Sequence, residues 1–318
     1  MKRVVVALAV SACASEAPSE TGWAAARNPV LAYDDVAIKD AFLVHHEGTW
    51  FFGYSEIRDD PFRFRLGFAS TTDLRTFQRA APIDQPETGG LASPSVVRAP
   101  DGRFVMTYNS HTFDSSVSLN KLYYRTSLDL RTWSPPSRLH VDGADADADR
   151  LIDGAIAFAS SGAYLFFKRE QTATVAHSAS GSIDGPWKIL GALNPKQLEN
   201  FQPIRIDGQW FLLGTTIPLV HRPALHSLAG DEKDPMSFRT WTLVRELEIA
   251  EESWNTGTAF GYERANAAFL ADDRATDGFF YLLFAGSTDI ASFSGRGHAR
   301  LGLARSRDLV TWELPRER

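Results

Sequence analysis

Short apolar runs alternate with polar turns along the whole chain, and no apolar pattern of period 3.6 persists, so strands are expected throughout and helices few and short. Five aromatic-rich runs each follow a Gly-containing turn: EGTWFFGYS (47–55), DGRFVMTYNS (101–110), SGAYLFFKR (161–169), DGQWFLLGTT (207–216) and DGFFYLLFAGS (277–287). A glycine ahead of an aromatic or β-branched run signals a hairpin. A second apolar segment precedes each turn: DAFLVHH, SPSVVRA, DGAIAFA, FQPIRI and NAAFLA. Downstream, one phrase recurs as TTDLRTF (71–77), SLDLRTW (127–133) and SRDLVTW (306–312), with weaker relatives SIDGPW (182–187) and MSFRTW (236–241). The closing aromatics, Phe77, Trp133, Trp187, Trp241 and Trp312, are spaced 56, 54, 54 and 71 residues apart. Each unit therefore reads as a hairpin, a further strand and a polar turn. Five units of about 55 residues predict an all-β fold, a five-bladed β-propeller; a β-sandwich gives no reason for a phrase to recur at near-constant period.

Composition narrows the partners. The 318 residues are 44% hydrophobic and 23% charged, with 21 Phe, 8 Trp and 8 Tyr, which excludes global disorder and supplies a large core. A net charge of -6 provides no field for gripping phosphates, so no nucleic-acid partner is expected. The one cysteine, Cys13, excludes an intramolecular disulfide and a thiolate zinc cluster.

Met1-Lys2-Arg3 followed by VVVALAV (4–10) reads as the charged and apolar parts of an export signal, and Val10-Ser11-Ala12-Cys13 resembles the bacterial lipobox. This reading makes 1–12 a signal peptide, Cys13 the lipidated first residue, 13–26 a tether and 27–318 the propeller. The protein is then an exported lipoprotein, periplasmic or at the cell surface, touching membrane only through its N-terminal lipid; without the lipid it is secreted. The alternative is a buried or truncated start without targeting meaning. No other segment reaches the ~20 apolar residues of a membrane span.

Three units carry a carboxylate at a similar offset from the aromatic after the turn. Asp40 lies ten residues before Trp50, Asp153 eleven before Tyr164 and Glu199 eleven before Trp210. The same offset reaches Ser93 in the second unit, and in the fifth the insertion ADDRAT (271–276) blurs it near Tyr262, Glu263 and Arg264. At the start of an innermost strand these side chains point into the mouth of the central channel, with Asp153 and Glu199 on neighbouring blades and Asp40 across the funnel. That is the equipment of inverting glycoside hydrolysis: one acid protonates the leaving oxygen while a second carboxylate activates water. A third carboxylate raises the acid's pKa by like-charge repulsion. The competing reading, strand-end Asp caps, does not explain three acids in register.

Further candidates each have two readings. His111 lines the funnel and binds sugar hydroxyls, or belongs to a solvated loop. Arg264 holds a sugar hydroxyl or carboxylate, or forms a structural ion pair. Phe42, two residues from Asp40 and so on the same strand face, is a platform for a sugar ring or channel packing. Asp145, Asp147 and Asp149 lack the Gly and terminal Glu of an EF-hand and read as an acidic surface loop, so no metal site is assigned.

From about residue 30 the chain resembles the five-bladed propeller glycoside hydrolases of families 43 and 62, the arabinofuranosidases, xylosidases and arabinanases. Lys39-Asp40-Ala41-Phe42 is similar to their first-blade pattern, LIDGAIAF (151–158) with AYLFF (163–167) to the third, and LENFQPIRIDGQWFLL (198–213) to the fourth; LYYRTSLDLRTWSPP (122–136) resembles a second-blade segment of family 62. The resemblance implies Asp40 as general base, Asp153 as modulator of the acid's pKa, Glu199 as general acid and Lys39 as a substrate-binding neighbour. The Glu-Gly-Pro that often surrounds the acid in family 43 is here Glu199-Asn200-Phe201-Gln202-Pro203, and the fifth-blade His that faces a central calcium ion in many relatives has no clear counterpart. Calcium in the central channel is thus without support, and no cofactor is required. The expected activity is an exo-acting, inverting glycoside hydrolase, a monomer, releasing α-L-arabinofuranosyl or a related sugar from a carbohydrate substrate. The alternatives are a carbohydrate-binding surface lipoprotein without catalysis and a glycoside phosphorylase, for which Lys39 and Arg264 are few basic residues.

Overall fold

In a computed structural model of the chain, residues 22–59, 61–85, 90–111, 120–144, 149–217, 221–256, 265–288 and 299–318 are described below. Cys13, Asp145, Asp147 and Arg264 lie outside them. After β1 (Arg27–Asn28), the hairpins expected from sequence pair as the inner strands of antiparallel sheets. Blade 1 holds β2 (Ala37–His46), β3 (Thr49–Asp59), β4 (Phe62–Thr71) and β5 (Gln78–Arg79). Blade 2 holds β6 (Leu91–Arg98), β7 (Phe104–Ser110), β8 (Leu122–Ser127) and β9 (Ser137–Arg138). The short β10 (Val141–Asp142) adds to the edge of blade 3, which comprises β11 (Leu151–Ala159), β12 (Gly162–Arg169), β13 (Thr172–Ser178) and β14 (Trp187–Ala192). Blade 4 holds β15 (Leu198–Ile206), β16 (Gln209–Thr216), β17 (Pro223–Leu228) and β18 (Trp241–Glu246). Among the described residues blade 5 has three strands, β19 (Asn266–Asp272), β20 (Phe280–Gly286) and β21 (Arg300–Ser306), and β22 (Arg316–Glu317) follows. Successive innermost strands touch, and β19 meets β2 to close a five-bladed β-propeller.

The recurrent Asp-Leu phrase is a turn leading to the outer edge of a blade. Asp73 Oδ1 accepts from the N–H groups of Arg75 (2.9 Å) and Thr76 (2.7 Å), and Asp129 and Asp308 repeat the arrangement. The leucine after each Asp, Leu74, Leu130 and Leu309, takes a left-handed backbone with φ of 53°, 59° and 62°. A short Asp side chain capping its own backbone offsets that strained conformation. In blades 1 to 4 a further strand follows the turn, so the outermost strand comes after the phrase. Aromatic and aliphatic side chains pack between neighbouring blades in four large clusters.

Packing starts before residue 27, within the span expected as a tether. Trp23 is nearly buried, edge-on to Tyr281 at 5.9 Å and under the Arg305 guanidinium at 4.5 Å. An indole of this area gains more from burial than a free tether would. Next to it β1 pairs in parallel with β22. The Asn28 amide is fully buried: its Oδ1 accepts from Leu303 N–H at 2.9 Å, and its Nδ2 donates to Leu303 O at 3.0 Å and Glu252 Oε2 at 2.8 Å. Residues 27–28 and 316–317 are thus clasped together beside blade 5.

Candidate active site

Every innermost strand breaks its register at one point. The pairings Lys39–Ser55, Ala92–Asn109, Ile152–Lys168, Glu199–Thr215 and Asn266–Ala285 are each followed by a β-bulge. The next residue is left-handed in all five blades: Asp40 (φ 46°), Ser93 (54°), Asp153 (56°), Asn200 (53°) and Ala267 (48°). A bulge of this kind re-aims side chains at the end of a strand, and here it turns them into the ring. Asp40 and Asp153 therefore occupy equivalent positions, but Glu199 does not. It sits one residue earlier, beside Lys39, Ala92, Ile152 and Asn266 in register. The sequence offset misled because Tyr164 is the third residue after its hairpin turn, whereas Trp50 and Trp210 are the second. In blade 5 the equivalent position is Ala267, three residues beyond Arg264.

The bulges are tied from blade to blade. Ser93 N–H donates to Ser55 Oγ (2.8 Å), Asp153 N–H to Asn109 Oδ1 (3.2 Å) and Ala267 N–H to Thr215 Oγ1 (3.2 Å). Blade 3 has Lys168 at the corresponding place, and a lysine has no acceptor to offer. Instead its Nζ donates to Glu199 Oε2 at 2.7 Å. Lys168 was not singled out in the sequence, although its place near the end of the run AYLFFKR was a usable signal.

These elements enclose a cavity of about 220 Å³, enough for about one sugar residue, with Asp40, Asp153 and Glu199 in its wall. Asp40 receives Ser55 Oγ at 3.2 Å and Asn200 Nδ2 at 3.3 Å, and Lys39 Nζ lies 3.4 Å away. Asn200 thus carries a contact from the acid-bearing bulge of blade 4 to the carboxylate of blade 1. Asp153 is only 7% exposed, and burial, followed by the charges of Glu199 and then Asp40, raises its pKa to about 6. Glu199 is the most open of the three, its side chain 20% exposed.

Lys39 and His111 also line this cavity. Burial, reinforced by the Lys39 charge, pushes the His111 pKa down to about 4, so its imidazole is neutral at ordinary pH. His221, which sequence reading passed over, lies close enough to Glu199 to feel its charge, while burial lowers its own pKa. Phe42 is not part of the wall. The bulge after Lys39 breaks the two-residue periodicity that put it on the face of Asp40. It is 1% exposed and packs against Phe269 and over Gly53, where any Cβ would lie 2.2 Å from its ring. Of its two readings, the structure selects channel packing.

Beyond the acids the channel narrows to about 20 Å³, room for about one water molecule. The residue after each bulge, Ala41, Pro94, Gly154, Phe201 and Ala268, lines it. Asp40, Ser93, Ser95, Asp153 and Asn200, all with side-chain oxygens, line it too. Among the described residues no three His, Cys, Asp or Glu side chains are grouped to hold a metal ion.

No family profile matches the chain, and no curated protein sequence matches it. Solved structures do. A thermostable family-43 glycoside hydrolase superposes with a TM-score of 0.63 at 13% identity, over 92% of this chain and all of its own. The α-L-arabinofuranosidase of Podospora anserina in complex with cellotriose gives 0.62 at 14% identity, over 91% and 98%. An α-L-arabinofuranosidase from Lactobacillus brevis gives 0.60 at 14% identity, over 91% and 95%. At such identities the likeness establishes a shared propeller fold.

Proposed function

We propose that this protein is an inverting glycoside hydrolase. Asp40 removes a proton from a water molecule as that water forms a bond to the anomeric carbon; the glycosidic bond breaks on the opposite face, and Glu199 delivers a proton to the departing oxygen. Asp153 helps the acid-bearing pair keep a proton at mildly acidic pH, because two further negative charges in a poorly solvated site are costly. Lys168 donates to one oxygen of Glu199, so the other is the one that reaches the leaving group. The observation that carries this reading is the convergence of Asp40 and Glu199, from blades 1 and 4, on one sugar-sized cavity beside a third carboxyl whose pKa is raised.

The finer reading is an exported, exo-acting enzyme that releases α-L-arabinofuranosyl or a related sugar. It rests on the sequence resemblance to families 43 and 62 and on the likeness of fold to two arabinofuranosidases. The deciding test compares Glu199→Ala on arabinofuranosides with natural and with dinitrophenyl leaving groups, with proton NMR of the first product. Loss of activity of at least about 100-fold on the natural group but little on the activated one, with an inverted anomer from the wild type, is expected. Retained configuration rules the mechanism out, and binding of sugars without turnover makes the protein a lectin.

A further inference from the structure

The cavity holds more positive charge than the proposed reaction uses. Lys39 is occupied by Asp40 and Lys168 by Glu199. Arg150, immediately before β11, lines the same cavity, and its charge reaches His111 on blade 2. Among the described residues no carboxylate pairs with its guanidinium. Two described acids beside it are engaged elsewhere: Asp149 with Arg169 at 3.0 Å, and Glu170 with the backbone N–H of Arg150 at 2.8 Å. Among the described residues the guanidinium makes one hydrogen bond, a long one of 3.4 Å to Glu170 O. A planar guanidinium that uses one donor among the described residues, at the rim of a polar cavity, is a receptor for a two-oxygen anion.

We propose that Arg150 marks an oxyanion subsite, filled by the carboxylate of an acidic sugar or by free phosphate beside a neutral one. Gln171 and the neutral His111 line the same cavity and can donate hydrogen bonds to the anion or to neighbouring hydroxyls. Charge balance agrees. Lys39, Lys168 and Arg150 face three carboxyls, and the raised pKa of Asp153 favours its uncharged form in mildly acidic solution, which leaves the cations in excess. This deepens the hydrolase reading by naming the charge of what enters the site.

The test is titration calorimetry of the full chain at low salt with glucuronate and galacturonate, with glucose and galactose, and with inorganic phosphate. At least one uronate binding tenfold or more tightly than its neutral counterpart is the expected result; Arg150→Gln should abolish that preference and Arg150→Lys retain part of it. Phosphate bound more tightly than any uronate, and lost in Arg150→Gln, supports the subsite and assigns it to phosphate. If neither anion is preferred over the neutral sugars, or Arg150→Gln leaves the preference intact, the proposal is overturned. Because binding is read without turnover, failure of the hydrolase reading shows separately, as anion binding without hydrolysis.

Discussion

Lys168 Nζ donates to Glu199 Oε2 at 2.7 Å from the strand position at which Ser55, Asn109 and Thr215 each accept a backbone N–H of the following blade. One substitution in a repeated tie thereby converts a structural link into a charge beside the proposed acid.

Lys168→Met keeps much of the stem and removes the charge. Lys168 holds the pKa of Asp153 down against burial and its acidic neighbours, so its loss should raise that pKa above about 6. The alkaline limb of the kcat profile should move to higher pH, and carbon NMR of labelled Asp153 should titrate higher. Stability should fall by about 1–3 kcal/mol, less than for a fully buried pair, because Glu199 remains partly open to water. An unmoved profile would make Lys168 a purely structural residue.

Asp153→Asn should act in opposite directions on stability and activity. The folded-state pKa of Asp153 is above its unfolded value of 3.8, so folding favours the protonated form, and stability is lost as pH rises from about 4 to about 6. Asn mimics that protonated form. The variant should gain stability at pH 7.5, by as much as about 3 kcal/mol for a shift of two units, and gain nothing near pH 4. Its activity limb should shift to lower pH, since a negative charge beside the acid is gone. Thermal melts at the two pH values, set beside the rate profile, check both.

Asn200 reaches Asp40 from another blade, and its left-handed backbone makes Gly the replacement that does not add strain. Asn200→Gly should lower kcat about 10-fold or more, the range for a hydrogen bond to a charged group. Unlike Glu199→Ala, the loss should be the same for good and poor leaving groups. A leaving-group dependence would mean that Asn200 serves the acid rather than the base.

Phe42→Ala tests the packing assignment. Removing a buried Phe should cost about 3–5 kcal/mol in denaturant unfolding, with KM of the folded variant unchanged. A raised KM at undiminished stability would restore the platform reading.

At the N terminus, we propose that Cys13 is lipidated after cleavage. Labelled palmitate should be incorporated in a bacterial host, and Cys13→Ser should abolish incorporation and release the chain from membranes. No incorporation into the wild type would end the lipoprotein proposal.

The propeller was legible because its turns are local chemistry: an Asp that caps the N–H groups two and three residues on, with Leu74, Leu130 or Leu309 left-handed beside it, has to be written out in each of the three copies that use it. The innermost strands were less so. A bulge leaves no mark in the pattern of apolar residues, so the one-residue displacement of Glu199 from Asp40 and Asp153, and the loss of Phe42 to the core, appear only in the pairing register. Arg150 was hidden for a different reason, and so in part was Lys168, whose one mark is its place near the end of AYLFFKR. Cations of this kind are common at strand ends, and only the convergence of blades separates those that meet a carboxylate or a cavity from those that meet water.

The clasp at the chain ends also dictates an order of events. Asn28 is bound by Leu303, 275 residues later, and β1 by β22. Closing a loop of that length costs about 5 kcal/mol in chain entropy if nothing between is ordered, so the contact becomes favourable only once the blades between have formed. Residues 22–31 must therefore wait, with Trp23 uncovered, until blade 5 has been made. A segment made before every blade is thus among the last to be buried, and slow ring closure, rather than blade formation, should set the refolding rate.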